Sequence, residues 1–280
     1  MHAWSLNGSY RFRGSQIRYG LVGPEGAPAV VLLHGTPFSS YEWHRIIPWL
    51  ARRFRVHFHD MLGYGASEKA EGDVSLGVQN AVFAELMDHW GLHRPHVVAH
   101  DFGGATALRT HFLDGRDYAS LTLIDPVAVR VWGSPFVAHV REHEAAFAGL
   151  PPYAHEALLD AYLRTAMARP MPQSDLAPYK APWLDEAGRK AFYRQIAQMD
   201  MRYTDEVEAR YGELRCPVQI LWGADDGWIP LETGRRLGAM LPEARLIEVP
   251  GAGHLMQEDA PEAIVAALAD FPPLAFASGQ

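Results

Sequence analysis

The chain has 280 residues, 48% of them hydrophobic and 21% charged, with a formal net charge of −8. That balance excludes a disordered or collagen-like chain, and the acidic total provides no electrostatic footprint for nucleic acid or an anionic membrane. The single cysteine, Cys216, excludes an internal disulfide and a multi-cysteine metal site.

In chain order, 29–33, 55–59, 96–99 and 121–124 are short runs rich in Val, Ile, Leu or Phe that end in turn chemistry, as buried parallel strands do. Between them, 41–52, 76–90 and 103–113 carry helical patterns. This alternation predicts an α/β fold with a mainly parallel sheet. From about 133 to 212 the helical patterns continue without a strand, and Tyr, Pro, His and Met accumulate. The earlier rhythm then resumes with strands at 218–222 and 245–249 and helices at 231–241 and 261–271, the last opened by Pro261. The predicted organisation is one core, residues 1–132 and 213–280, interrupted by a helical cap, 133–212. The cap is expected over the carboxyl ends of the strands, where open α/β sheets bind ligands. The tail 272–280 is rich in Pro, Ala and Gly and reads as frayed. No run of 18 apolar residues occurs, and the N-terminus shows no basic segment ahead of an apolar one. The expectation is a cytoplasmic protein, a monomer or a homodimer.

The most informative stretch is 97–105, Val-Val-Ala-His-Asp-Phe-Gly-Gly-Ala. A strand runs into Asp101, then Phe102, two glycines and a helix. Small residues, Ala99 and Gly103, flank Asp101 at −2 and +2, the layout of a nucleophile elbow. In such a turn the N–H of the next residue, Phe102, is half of an oxyanion hole. A carboxylate at that position is nucleophilic without a base; it attacks an sp³ carbon and forms an alkyl ester. Read alone, Asp101 is equally a helix N-cap.

Its neighbours decide between these readings. The turn His34-Gly35-Thr36-Pro37 follows the first buried strand and offers the N–H of Thr36 as the other oxyanion donor. The turn Pro250-Gly251-Ala252-Gly253-His254 follows the last strand and folds His254 back as the base that activates water. The imidazole needs an orienting carboxylate. Asp226, 28 residues before His254, is preferred to Asp125, which ends the strand at 121–124. The Gly-rich turn 60–67 lacks the GK[ST] opening of a phosphate loop and reads as structural. Cys216, just before a strand, reads as packing.

These motifs resemble those of the α/β-hydrolase superfamily over residues 15–130 and 214–271. His34-Gly35-Thr36-Pro37-Phe38-Ser39-Ser40-Tyr41-Glu42-Trp43 is similar to the oxyanion segment of haloalkane dehalogenases. His100-Asp101 followed by Gly103 is similar to the elbow of haloalkane and haloacetate dehalogenases and of epoxide hydrolases, the branches with an Asp nucleophile. The resemblance implies an eight-stranded sheet with a helical cap, Asp101 as nucleophile, His254 as base and Asp226 or Asp125 as acid. It implies a small-molecule substrate, water and no cofactor or metal. Phe102 departs from the halide-binding Trp of haloalkane dehalogenases and from the Arg of haloacetate dehalogenases. Thr36 stands where Asn or Glu is frequent. Trp43, Trp132 and Trp183 are the indole donors available in place of that Trp. For epoxide opening the cap offers Tyr153, Tyr162, Tyr179, Tyr193 and Tyr203 as proton donors; Tyr203, near the cap's return to the sheet, is preferred. Dehalogenation leads, with epoxide hydrolysis close behind. A non-hydrolytic use of the fold, as a lyase, cyclase or ligand-binding protein, is the third reading.

Overall fold

A computed structural model describes residues 4–69, 71–241 and 243–274; the last six residues of the tail expected to fray lie outside the described residues. Eight strands form one sheet: β1 (Gly8–Phe12), β2 (Ser15–Val22), β3 (Ala29–Leu33), β4 (Arg55–His59), β5 (His96–His100), β6 (Ser120–Ile124), β7 (Val218–Gly223) and β8 (Arg245–Val249). Their spatial order is β1-β2-β4-β3-β5-β6-β7-β8. β2 runs antiparallel to β1 and β4, and every other pairing is parallel.

The central strands are apolar throughout because both faces of the sheet are covered. Side chains alternate across a strand, so Val31 and Leu33 point to one face and Val30 and Leu32 to the other. Val31, Leu33, Val97, Ala99, Leu121 and Leu123 pack with Phe83, Met87 and Leu108 of α2 (Leu76–His89) and α3 (Phe102–Asp114). Val30, Leu32, Val98 and Leu221 pack with Ile47 and Leu50 of α1 (Ile47–Leu50) and, from α11 (Pro261–Asp270), Ile264 and Leu268.

Two predicted features change. The helix expected at 41–52 is a 3-10 turn, Ser40–Trp43, followed by the separate short α1. Pro48 has no N–H to continue a helix begun at 41 and sits instead in the first turn of the new one. The hairpin β1–β2 left no apolar run in the sequence, since it lies at the sheet's margin and alternates exposed with half-buried residues. Its two-residue turn is made by Arg13 and Gly14, both at positive φ (48° and 95°).

Between β6 and β7 the chain makes a helical excursion: α4 (Pro135–Ala148), α5 (Pro152–Arg164), α6 (Gln173–Lys180), α7 (Glu186–Ala197) and α8 (Arg202–Glu208). It is fastened to the core at several points. The indole of Trp183 donates to the Pro37 carbonyl at 2.9 Å. Arg109 of α3 reaches the Tyr203 carbonyl and Glu206. Asp259, in α10 (Met256–Asp259), accepts from the N–H groups of both Ala168 and Gly253 at 2.8 Å. The core closes with α9 (Leu231–Met240) between β7 and β8. No helix among the described residues is long and apolar enough to cross a membrane.

The junction of β5 and α3 is closely packed. A Cβ on Gly103 would lie 2.3 Å from the Leu33 carbonyl oxygen, which is backbone and cannot turn aside. Gly103→Ala is therefore expected to destabilise the chain by roughly 1–3 kcal/mol, seen as a lowered thermal midpoint in circular dichroism. An unchanged midpoint would mean that strand and helix separate freely here.

Candidate active site

Asp101 occupies the turn between β5 and α3 with φ 48° and ψ −114°. That conformation costs a non-glycine residue of order 1–3 kcal/mol, so surrounding bonds must hold it. The Asp101 N–H donates to the Ile124 carbonyl at 3.2 Å, and its carbonyl accepts from Gly104 and Val127, each at 3.0 Å. The side chain thereby stands at the carboxyl edge of the sheet. Its Oδ1 accepts the N–H of Thr36 at 2.7 Å. Gly35 permits this approach: a Cβ there would lie 2.7 Å from Asp101 Cβ. Phe102 begins α3, so its N–H is one of the first-turn donors with no partner inside the helix.

His254 completes the group from the loop after β8. Its Nε2 lies 3.3 Å from Asp101 Oδ2, an ion-pair contact without hydrogen-bond alignment. Its Nδ1 lies 2.8 Å from Asp226 Oδ2, and the other oxygen of Asp226 accepts from the N–H groups of Trp228 (2.7 Å) and Ile229 (2.9 Å). All three side chains are buried. Burial works against the charged imidazole, but Asp226 and Asp101 on either side outweigh it and raise its pKa well above the ordinary value. Burial likewise opposes the Asp101 carboxylate; the His254 contact outweighs it, and its pKa is lowered.

Asp125 lies at the end of β6, where sequence reasoning allowed it as the orienting acid, yet its carboxylate bonds the N–H of Gly223 at 2.8 Å and not His254. Burial, with the charge of Asp226 nearby, raises its pKa well above the ordinary range.

A cavity with about 390 Å³ of empty space opens beside Asp101. Thr36, Phe102, Val127, Trp132, Val137 and Tyr162 are among its walls, with Met199, Trp228 and Ile229. Of the side chains expected at the substrate, Trp132 lines it; its indole N–H is committed to Thr204 Oγ1 at 2.9 Å. Trp43 is packed in the core on the α1 side of the sheet. Trp183 is buried with its N–H spent on the Pro37 carbonyl, tying the oxyanion turn to the excursion. Tyr153 is 78% exposed, because its stretch of α5 faces solvent. Tyr203 is held between Arg109 and Arg202 on α8, away from the cavity. The tyrosine that does reach it is Tyr162, stacked on Trp228 at 4.8 Å between centroids. Burial and the charge of Asp101 push its hydroxyl pKa upward, so it stays protonated.

Two arrangements escaped the sequence. His100 sets Nδ1 3.1 Å from Glu42 and Nε2 2.9 Å from the His254 carbonyl, and Glu42 accepts the Gly35 N–H. This joins the oxyanion turn, the elbow and the His254 loop beneath the site. The second is a cluster of Thr36, Tyr64 and Gln195: Gln195 Oε1 accepts from Thr36 Oγ1 at 2.7 Å and from the Tyr64 hydroxyl at 2.9 Å. Trp228 carried a signal, since it shares the turn of Asp226; Gln195, within an amphipathic helix, carried none. Cys216 is remote, and burial pushes its thiol up to about 11, which leaves it inert. Among the described residues no group of three or more His, Cys, Asp or Glu could hold a metal ion.

Residues 30–267 match the family model described as the alpha/beta hydrolase family, and the chain belongs to that family. It is a hydrolase enzyme of that family, with haloalkane dehalogenases among its relatives. It is 28% identical over 270 residues to Haloalkane dehalogenase 2 of Mycobacterium tuberculosis, covering 92% of each chain. Among solved structures, an alpha/beta hydrolase fold protein from Burkholderia ambifaria shares 56% identity at a TM-score of 0.93, over 95% of this chain and 98% of that one. The haloalkane dehalogenase DbeA from Bradyrhizobium elkani USDA94 shares the fold at a TM-score of 0.76 and 23% identity, over 94% and 95% of the two chains.

The titrations separate the two candidate acids. By linkage, the raised value of His254 stabilises the fold below its unfolded value near 6.5, and that contribution is lost as pH rises through the folded value. The lowered value of Asp101 contributes above 3.8 and is lost as pH falls through the folded value. Asp226→Asn is expected to lower the His254 pKa in histidine-ring NMR and to weaken the alkaline loss of stability. Asp125→Asn, at a side chain bonded to the Gly223 N–H and not to the imidazole, should not lower it; the reverse pattern would make Asp125 the partner.

Proposed function

We propose that this hydrolase uses Asp101 as the nucleophile in a two-step displacement on a small, largely apolar halogenated substrate. The observation that supports this most is the ionised Asp101 side chain, with one oxygen on the Thr36 N–H and the other facing His254. Oδ1 is already engaged, so Oδ2 attacks the carbon; the new C–O bond forms as the carbon–halogen bond breaks and the halide departs with the electron pair. Ester formation removes the negative charge of Asp101. One of the two anions that raise the His254 pKa is then gone, the imidazolium releases its Nε2 proton to solvent, and Nε2 becomes the base for the second step. It takes a proton from water as that oxygen attacks the ester carbonyl carbon. The N–H groups of Thr36 and Phe102 face the developing oxyanion, a donor pair whose members are each worth about 10²–10³ in rate. Collapse restores the carboxylate, and the leaving alkoxide takes the proton from His254. Asp226, fixed by two backbone N–H groups, keeps the ring in register throughout. The cavity is small and walled mainly by apolar side chains, which fits a substrate of few heavy atoms.

Epoxide hydrolysis is the second reading, and Tyr162 favours it. Its hydroxyl remains protonated beside the cavity and supplies the proton that a ring-opened alkoxide needs.

In His254→Gln the first step should proceed and the second should stop. Mass spectrometry of that variant with small haloalkanes and epoxides is expected to show an alkyl adduct on Asp101; no adduct with any member of the panel would refute the proposal. For the wild type with a turned-over substrate, acid should slow steady-state turnover while a single-turnover burst of alkylation persists, because only the second step needs neutral His254. Asp226→Asn should lower kcat by about 10²–10⁴, and Asp125→Asn should leave it within a few-fold.

A further inference from the structure

The proposed displacement needs a donor for the atom that leaves with the electron pair. The four residues on which a sequence reading would place that donor do not provide it. Phe102 has none, the indoles of Trp132 and Trp183 are committed to Thr204 and Pro37, and Trp43 lies in the core on the α1 side of the sheet. Gln195 of α7 does have one to spare. Its side chain is buried, and among the described residues its Nε2 has no hydrogen-bond partner. A buried amide donor left without an acceptor carries its desolvation penalty uncompensated, and such groups ask for an explanation.

The orientation of the amide follows from its neighbours. The hydroxyls of Thr36 and Tyr64 both donate to Oε1. Turned around, the amide would present its NH₂ to both oxygens, and the two hydroxyls, 3.3 Å apart, could then donate only one proton to each other, leaving the second without an acceptor among the described residues. The free end is therefore the donor end. Its place is set by Thr36, whose N–H holds the Asp101 carboxylate and whose hydroxyl holds Gln195; Met199 follows just past the end of α7. Thr36 and Met199 both line the cavity beside Asp101.

We infer that the Nε2 of Gln195 is the donor for the electronegative leaving atom of the substrate, and that Gln195, Thr36 and Tyr64 form a leaving-group subsite supplied jointly by the excursion and the core. This rests on the nucleophile reading above. The ligand chemistry is an atom that gains negative charge as the carbon bond breaks: a halide, or the oxygen of a strained ring. The amide suits it because its N–H groups are held in place before the charge appears, and because Tyr64, whose hydroxyl burial keeps protonated, adds no competing anion.

Bromide is the probe. Titrated into the wild-type protein, it is expected to perturb the fluorescence of the cavity tryptophans, Trp132 and Trp228, with saturation. Gln195→Leu removes the donor; Gln195→Glu keeps the shape and an acceptor for both hydroxyls while replacing the amide donor. Both should weaken bromide by about tenfold or more, with thermal melts confirming that each is folded. No saturable binding by the wild type, or unchanged affinity in both variants, overturns the inference. Ester formation is read separately in the His254→Gln background with a bromoalkane and the matching epoxide. Adding Gln195→Leu should slow it by about 10² with the substrate whose leaving atom uses the site. Loss with the bromoalkane assigns halide, loss with the epoxide assigns oxygen, and loss with neither overturns the inference while leaving Asp101 as nucleophile. An absent ester in the parent variant alongside intact bromide binding refutes the nucleophile and keeps the anion subsite.

Discussion

The site is built around an imidazole buried between two carboxylates. Burying an ion costs several kcal/mol unless its partners are close and well bonded, so Asp101, His254 and Asp226 cannot be placed independently of one another. Each carboxylate also draws on backbone N–H groups, from Thr36 for Asp101 and from Trp228 and Ile229 for Asp226. These donors lie in turns after β3 and β7, Asp101 lies after β5, and the imidazole lies after β8. Those strands are parallel and lie in the run β3-β5-β6-β7-β8 of the sheet, so their carboxyl ends share an edge. The parallel register is what assembles the charges.

Beneath that edge, His100 and Glu42 bind the same turns together from below, through the Gly35 N–H and the His254 carbonyl. Above it, the excursion closes the cavity and carries tyrosine, tryptophan and glutamine toward a site that the core leaves open. The two contributions differ in kind. The core sets charges in a rigid frame, while the excursion sets the walls and the polar contacts that a substrate would meet. Asp125 shows how finely the frame is tuned. It is a second buried carboxyl near Asp226, and burial, then the neighbouring charge of Asp226, raises its pKa well above the ordinary range.

Legibility in the sequence followed physical locality. The strands β3, β5, β6 and β7 announced themselves by uninterrupted β-branched and aliphatic runs, since both sides of the sheet are buried. The hairpin β1–β2 did not, because a marginal strand alternates and its turn signal, Arg13-Gly14, is weak. The helix expected at 41–52 ignored the break that Pro48 imposes. The elbow was readable because sterics demand small residues at fixed offsets: Gly103 meets the Leu33 carbonyl across a gap that no Cβ fits. Tyr203 was preferred over Tyr162 by its position in the chain. The fold reversed that choice, because Arg109 and Arg202 enclose Tyr203 while Tyr162 stacks on Trp228 beside Asp101.

The sequence by itself determined the α/β class, the elbow with Asp101 at its centre, and the turns carrying Thr36, Asp226 and His254, because each is encoded in a few adjacent residues whose backbone requirements are local. Only the tertiary structure decided which carboxylate meets the imidazole, which aromatic side chains line the cavity, and that Gln195 stands over Thr36 with an amide to spare. Those facts depend on contacts between residues as much as 159 positions apart. Such contacts are set by how helices pack on a sheet edge, and helical periodicity records only that a face is buried, not what it is buried against.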